Sequence, residues 1–277
     1  MKTILVPTDY SESAHNATQY AAALAQRTGA STLVLYHSFF LPVPVSETPV
    51  GLPSVEELTD EHLIQLEAIG RDIAQACHLK VECYASPLPV IDQLPELVKR
   101  LHADLVVMGM GNISEFDRRV FGSTTTRVIR EATFPVLVVP REVRFQVPKH
   151  ILFACDYEAI APKNKLTLLQ ALATTFGAQV EVLHVEGAEP ATTGSSRSHK
   201  LPNLESILYG VKHQYTFLEE DDVMRGIEKG IQEQQADLLV MVPRPHGFWD
   251  TVFNRSTTRK MAFQTHIPLL VLPNSKK

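Results

Sequence analysis

The sequence predicts an α/β protein made of two tandem, doubly wound parallel-sheet domains. Three observations carry that expectation. The chain has 277 residues, about twice an ordinary domain. Short β-branched apolar runs alternate with helical patterns, as in a parallel sheet covered on both faces. The pattern also occurs twice. Ile4-Leu5-Val6-Pro7-Thr8-Asp9 returns as Ile151-Leu152-Phe153-Ala154-Cys155-Asp156, an offset of 156 − 9 = 147 that His37 and His184 share. Ala103–Met108 matches Ala236–Met241, and Phe134–Pro140 matches Ile267–Pro273, both at 237 − 104 = 133. The second half has therefore lost 147 − 133 = 14 residues mid-domain. The polar stretch Arg141–Lys149 separates the two, giving domains 1–143 and 148–277.

In the first half, Thr3–Val6 is a buried strand and Ser11 to about Arg27 a helix with an alanine-rich packing face. Leu33–Tyr36 is the second strand. Ser54 to about Ala76 has helical periodicity and opens on the capping sequence Ser54-Val55-Glu56-Glu57. Val81–Tyr84 is the third strand, Val90–Leu101 a helix, and Leu105–Met108 the fourth strand. Gly122 to about Ala132 is a helix, and Val136–Val139 closes the set. Right-handed crossovers make such a sheet doubly wound, and its ligands bind beyond the C-terminal ends of the strands. The residues with chemistry are expected just after strands one, two and four.

Composition narrows the function classes. With 44% hydrophobic and 21% charged residues, the chain has apolar material for two cores. A net charge of −5 and the lack of a dense Lys/Arg run argue against nucleic acid as a partner. No apolar run reaches the roughly 18–20 residues that span a bilayer, and Met1-Lys2-Thr3 leads straight into a strand with no export signal. A cytoplasmic location is the expectation. Cys77, Cys83 and Cys155 form no CxxC pair and read as reduced thiols. Cys77, His78 and Cys83 match no common zinc spacing, so no metal site is expected.

After strand four come Gly109-Met110-Gly111-Asn112 and then Gly122-Ser123-Thr124-Thr125-Thr126. The later cluster opens a helix, whose free N–H groups and positive dipole end favour a phosphate. Gly122 has no Cβ to hold a phosphate off the backbone, and the hydroxyls add donors. The early glycines permit the tight or left-handed backbone of an anion nest. A plain glycine loop with a Ser or Thr cap explains the same residues. The spacing is neither a P-loop, since no Gly-Lys-Ser/Thr follows, nor a dinucleotide fingerprint, since it follows strand four. Asp9, in a turn shaped by Pro7 and Thr8, either accepts hydrogen bonds from an adenine or ribose or caps the helix near Ser11.

These blocks resemble the universal stress protein family. Ile4–Glu12, the Gly109…Gly122-Ser123 loop and Pro135–Pro140 carry the resemblance, and it covers both halves. It implies the adenine-nucleotide alpha-hydrolase-like fold, a regulatory or protective role in stress, and ATP, ADP or AMP as ligand, with or without magnesium. ATP-binding members carry Gly, two residues, Gly, nine residues, Gly, then Ser or Thr. Gly109 fits the first position, and Gly122 and Ser123 fit the last pair, because 122 − 109 = 13. Asn112 occupies the middle glycine position, with Gly111 one place early; Asn tolerates left-handed backbone better than most residues. By resemblance, Asp9 and the strand end at His37-Ser38 hold the adenosine, and Gly109, Gly111, Asn112, Gly122, Ser123 and Thr124 hold the phosphates. The candidate set is therefore Pro7, Thr8, Asp9, Ser38, Met108, Gly109, Gly111, Asn112, Gly122, Ser123 and Thr124. The family's pairing through last strands implies that Val136–Val139 and Leu269–Leu272 meet in a pseudo-twofold chain. Association of two chains, or with another protein, stays open.

The second half departs from the motif. At the 133 offset Gly109 becomes Val242, Gly111 Arg244, Asn112 Pro245 and Gly122 Arg255, while Ser256 stands opposite Ser123. Pro245 removes a backbone donor, so this half is expected not to bind ATP in the family manner. The apolar stretch His246–Phe253, with the single tryptophan Trp249, reads as a loop over its own empty site or as an interface. Phe39–Pro53 reads as a cover beside the first site, Ala188–His199 as a mobile loop, and Glu219–Lys229 as a solvated helix face. No nucleophile elbow or metal-binding helix is present, so binding rather than fast turnover is expected, and slow ATP hydrolysis is compatible with that. The competing reading is an interaction or small-ligand module with both sites vestigial, with Asn112 as the residue that decides.

Overall fold

The computed structural model describes residues 1–41, 53–110, 123–155, 166–186, 204–242 and 266–273. In the first half β1 (Thr3–Thr8) leads into α1 (Glu12–Thr28), β2 (Thr32–Ser38), α2 (Val55–Cys77) and β3 (Lys80–Ser86). Then come α3 (Val90–Arg100), β4 (Leu105–Met110), α4 (Ser123–Glu131) and β5 (Val136–Pro140). The second half supplies β6 (His150–Ala154), α5 (Thr167–Phe176), β7 (Gln179–Glu186), β8 (His213–Glu219), α6 (Val223–Glu233), β9 (Leu238–Met241) and β10 (Leu269–Val271).

Local chemistry sets the element ends. Ser11 caps α1 by accepting from the Ala14 N–H, and Gly29 closes it at φ 69°. Ser54 and Glu57 form the capping box expected for α2. Most strand interiors are buried on both faces, those of the edge strands β3 and β8 only in part, and alternate residues feed two cores. Ile4, Val6, Leu33 and Leu35 pack under α1 and α2. Leu5, Val34, Val106 and Val138 pack under α3 and α4. Each core continues into the second half, through Phe153 and Val182 on one face and Leu152 and Leu183 on the other.

All ten strands form one sheet in the order β3-β2-β1-β4-β5-β10-β9-β6-β7-β8. The order reads as one set of five followed by its mirror. Every pairing is parallel except that of β5 with β10. There Val138 faces Leu269, Leu137 faces Leu270 and Val136 faces Val271. This is the pairing expected of Val136–Val139 with Leu269–Leu272, and its register is symmetric about Leu137 and Leu270.

Two devices repeat. The Asp104 carboxylate accepts from the backbone N–H groups of Lys2 and Thr3, tying the start of β1 to β4. Asp237 accepts from Lys149 at 2.7 Å and His150 at 2.9 Å, tying β6 to β9. Between the halves, Asn16 is 2% exposed. It donates to the carbonyls of Pro140 and Val143 and accepts from Arg144, so α1 holds the segment after β5. Arg141 pairs with Glu12, and Phe145 packs edge-on to Tyr20.

Two expectations are corrected. Strand four runs on to Met110, because Gly109 and Met110 pair with Val139 and Pro140. The run Glu219–Lys229 is not one solvated face. Glu219 ends β8, Asp222 caps α6, and Met224, Gly226 and Ile227 are buried. A Cβ on Gly226 would lie 2.5 Å from Val185 Cγ1, so this helix rides close on β7. The sequence reading followed the charges and missed the small residue on the buried side.

Candidate functional site

The site grows from the C-terminal edge of the first half of the sheet. Beyond β1, the Thr8 hydroxyl accepts from the Tyr10 N–H at 3.1 Å and Asp9 Oδ1 accepts from the Ser11 N–H at 3.0 Å. Tyr10 takes φ 62° in this tight turn. Ser11, not Asp9, is therefore the cap of α1; Asp9 shapes the turn with one oxygen and remains exposed. The ring of His37 bonds the Thr8 carbonyl through Nδ1 at 2.8 Å, and it lies 4.3 Å from Tyr10 and 4.9 Å from His62. Phe39 stacks on His62 at 4.5 Å. Burial pushes the His37 pKa down, the Thr8 hydrogen bond partly opposing it. Burial, with a contribution from Cys83, pushes the Tyr10 hydroxyl up to about 12. Both groups are neutral supports for the turn.

At the end of β2, Ser38 Oγ donates to the Leu88 carbonyl at 2.7 Å, and the Tyr36 hydroxyl donates to the same oxygen at 3.1 Å. They fix the turn into α3. At the end of β4, Gly109 has a packing role. A Cβ there would sit 2.3 Å from Ser13 O and 2.5 Å from Ser13 C, so the missing side chain lets the first turn of α1 press against the strand. This differs from the nest role read from the sequence, since Gly109 is a paired strand residue. Thr125 Oγ1 donates to the Gly109 carbonyl at 3.1 Å, anchoring α4 to the same point.

These elements enclose a cavity of about 430 Å³. Among the candidates, Pro7, Thr8, Asp9, Ser38, Met108, Gly109 and Thr124 line it together. Ser123 opens α4. Gly111, Asn112 and Gly122 lie outside the described residues, as do Asp156, Arg244, Pro245, Arg255, the 246–253 loop, the 188–199 stretch and 42–52 of the expected cover. Phe40, the described start of that cover, lines the cavity and is 91% exposed. Thr125, named with the hydroxyl cluster, also lines it, whereas Ser11, Ser13, Pro89, Val90, Ile91 and Arg127 were not expected there. Strand three lies beside strand two, so the turn after it belonged on the list. Arg127 follows Thr124 by three positions, the spacing that shares a helix face.

The arrangement is polarised. The N-terminal turns of α1, α3 and α4 all contribute to the wall, and helix N-termini attract anions. Thr124, Thr125 and Arg127 reach it from α4 and Asp9 from the turn after β1, and Pro7, Met108, Val90 and Ile91 supply apolar surface. Among the described residues no group of three or more His, Cys, Asp or Glu is placed to hold a metal ion. None of the described helices is long and apolar enough to cross a membrane.

The profile of the universal stress protein family matches residues 1–140, half of the chain. The chain belongs to the universal stress protein family. Universal stress protein Slr1230 of Synechocystis is 28% identical over 297 residues, covering 98% of this chain and 99% of that protein. Universal stress protein MJ0531 of Methanocaldococcus jannaschii is 29% identical over 146 residues, covering 50% of this chain and 82% of that protein. The crystal structure of a universal stress protein from Archaeoglobus fulgidus matches with a TM-score of 0.72 at 17% identity, covering 99% of this chain and 98% of that one. At that identity the match speaks for the tandem α/β fold of this universal stress protein.

Proposed function

We propose that this universal stress protein binds an adenine nucleotide, ATP or its di- or monophosphate with or without magnesium, in the first of its two units. The units are 1–143 and 148–277, and the role is regulatory or protective in stress rather than rapid turnover. One observation carries the reading: a cavity of about 430 Å³ into which three helix N-termini converge, with Asp9 on its wall and Thr124 and Thr125 on the anion-favouring side. Such a cavity is polarised for a ligand with hydrogen-bond donors at one end and negative charge at the other. The Asp9 oxygen not used by Ser11 is the acceptor for the ribose or base. The apolar wall of Pro7, Met108, Val90 and Ile91 suits a flat ring.

The test is a thermal-shift titration with ATP, ADP and AMP, with and without magnesium, on the wild type and Gly122→Arg, which imports the residue Arg255 of the second half. Saturation at about 100 times Kd stabilises the native state by roughly 2.7 kcal/mol, a shift of a few degrees. A shift present in wild type and lost in the variant supports the reading. No shift with any nucleotide overturns it in favour of an interaction or small-ligand module.

A further inference from the structure

We infer that Arg127 makes this site selective for nucleotides bearing more than one phosphate. The inference rests on the nucleotide reading above. Arg127 lies in α4, four residues beyond the Ser123 that opens the helix, and lines the same cavity as Thr124 and Thr125. Its Nε is held by Glu131 Oε1 at 3.2 Å, and Arg130 reaches that same oxygen at 3.4 Å. Two guanidinium groups thus share one carboxylate, which leaves the Arg127–Arg130–Glu131 cluster of α4 with a net positive charge. Arg127 lines the cavity and its side chain is 56% exposed, so the guanidinium is accessible to solvent and to a ligand.

The geometry divides the work between two kinds of donor. Backbone N–H groups and hydroxyls at a helix N-terminus serve the phosphate nearest the nucleoside, because they are fixed and short-ranged. A guanidinium one turn further along is placed for an oxygen beyond that first phosphate. Its planar fork suits bidentate contact with a terminal phosphoryl group. A monophosphate ends before that point and gains nothing from Arg127.

The experiment is calorimetric titration of the full chain with ATP, ADP and AMP, using wild type, Arg127→Gln, Arg127→Lys and Glu131→Gln. In Arg127→Gln, ATP and ADP are expected to weaken by about tenfold, the scale of one charge-assisted contact, while AMP changes by less than about twofold. Arg127→Lys retains part of the ATP affinity. Glu131→Gln, which releases Arg127, leaves ATP binding equal or tighter. Parallel losses for AMP and ATP in Arg127→Gln, unchanged ATP binding, or an ATP loss in Glu131→Gln matching that of Arg127→Gln would each overturn the inference. Wild type binding AMP as tightly as ATP overturns it while leaving the nucleotide reading intact. Wild type binding none of the three overturns both.

Discussion

The two halves share the contacts that hold the sheet and differ in those that form the cavity. Asp104 and Asp237 each tie two backbone N–H groups at the start of a first strand. His37 and His184 each bond the carbonyl one strand away, Thr8 at 2.8 Å and Cys155 at 3.2 Å. Gly29 and Gly177 close equivalent helices in the left-handed conformation. Where the first half has Gly109 against Ser13, the second has Val242. Where the first half buries Val34, the second buries Glu181. Residues that hold strands in register stand in both halves, while a residue that makes room for the first turn of α1 stands in only one. Scaffold and site are thus separable sets of residues on one fold.

The sharpest way to break that comparison is Gly109→Val, which gives the first half the residue of the second. Even the Cβ lands 2.3 Å from a backbone oxygen. We expect a loss of about 3 kcal/mol or more, at or above the upper end of ordinary overpacking because backbone must move, together with loss of nucleotide binding. A ligand-free melt within one degree of wild type would show that the close approach is dispensable. The reverse test is Glu181→Val, which brings the first half's Val34 to the second. Glu181 is 4% exposed, accepts from Thr216 through one oxygen, and has no partner for the other among the described residues. Removing a half-satisfied buried carboxylate should raise stability by about 1–2 kcal/mol, read from denaturant midpoints; a loss would mean that the Thr216 contact outweighs the orphaned oxygen. Asp104→Ala and Asp237→Ala should each cost about 1 kcal/mol and by similar amounts, since the groups they bond are at the surface and water replaces them in part. A cost confined to one would end the equivalence.

The smallest effect concerns pH. Burial lowers the His37 pKa below its ordinary 6.5, so below that value the unfolded chain binds a proton that the folded chain resists. Stability contributed by the neutral ring is full above 6.5 and falls as pH drops through the native value. In His37→Gln the decline of melting temperature between neutral and mildly acidic pH should be shallower than in wild type, and an unchanged slope would remove His37 from the account.

Much of this was legible in the residues themselves. The strands and the Ser54–Glu57 box follow from periodicity and capping, which are local signals, the repeat at Ile4 and Ile151 from self-similarity, and the β5–β10 pairing from the family resemblance. That Pro7, Asp9, Met108 and Gly109 lie at one sheet edge followed from one topological rule about strand ends, while Ser38 and Thr124 entered through the family resemblance and the helix-opening cluster. What was not legible depended on distance in space. Nothing local marks Gly109 as a contact for Ser13, or Ser38 as a donor to Leu88. The Pro89–Ile91 wall was missed because it follows a strand that does not border the central crossing. Arg127 lies just past the Gly122–Thr126 cluster that carried the signal in α4.

The antiparallel seam has one more consequence. A three-residue edge that matches its own counterpart about a central leucine is self-complementary, so separate halves would find it only by collision and lose it on dilution. Here the short segment from Arg141 to Lys149 keeps the two edges within permanent reach. Closure of the seam is therefore independent of protein concentration, as an intramolecular contact is.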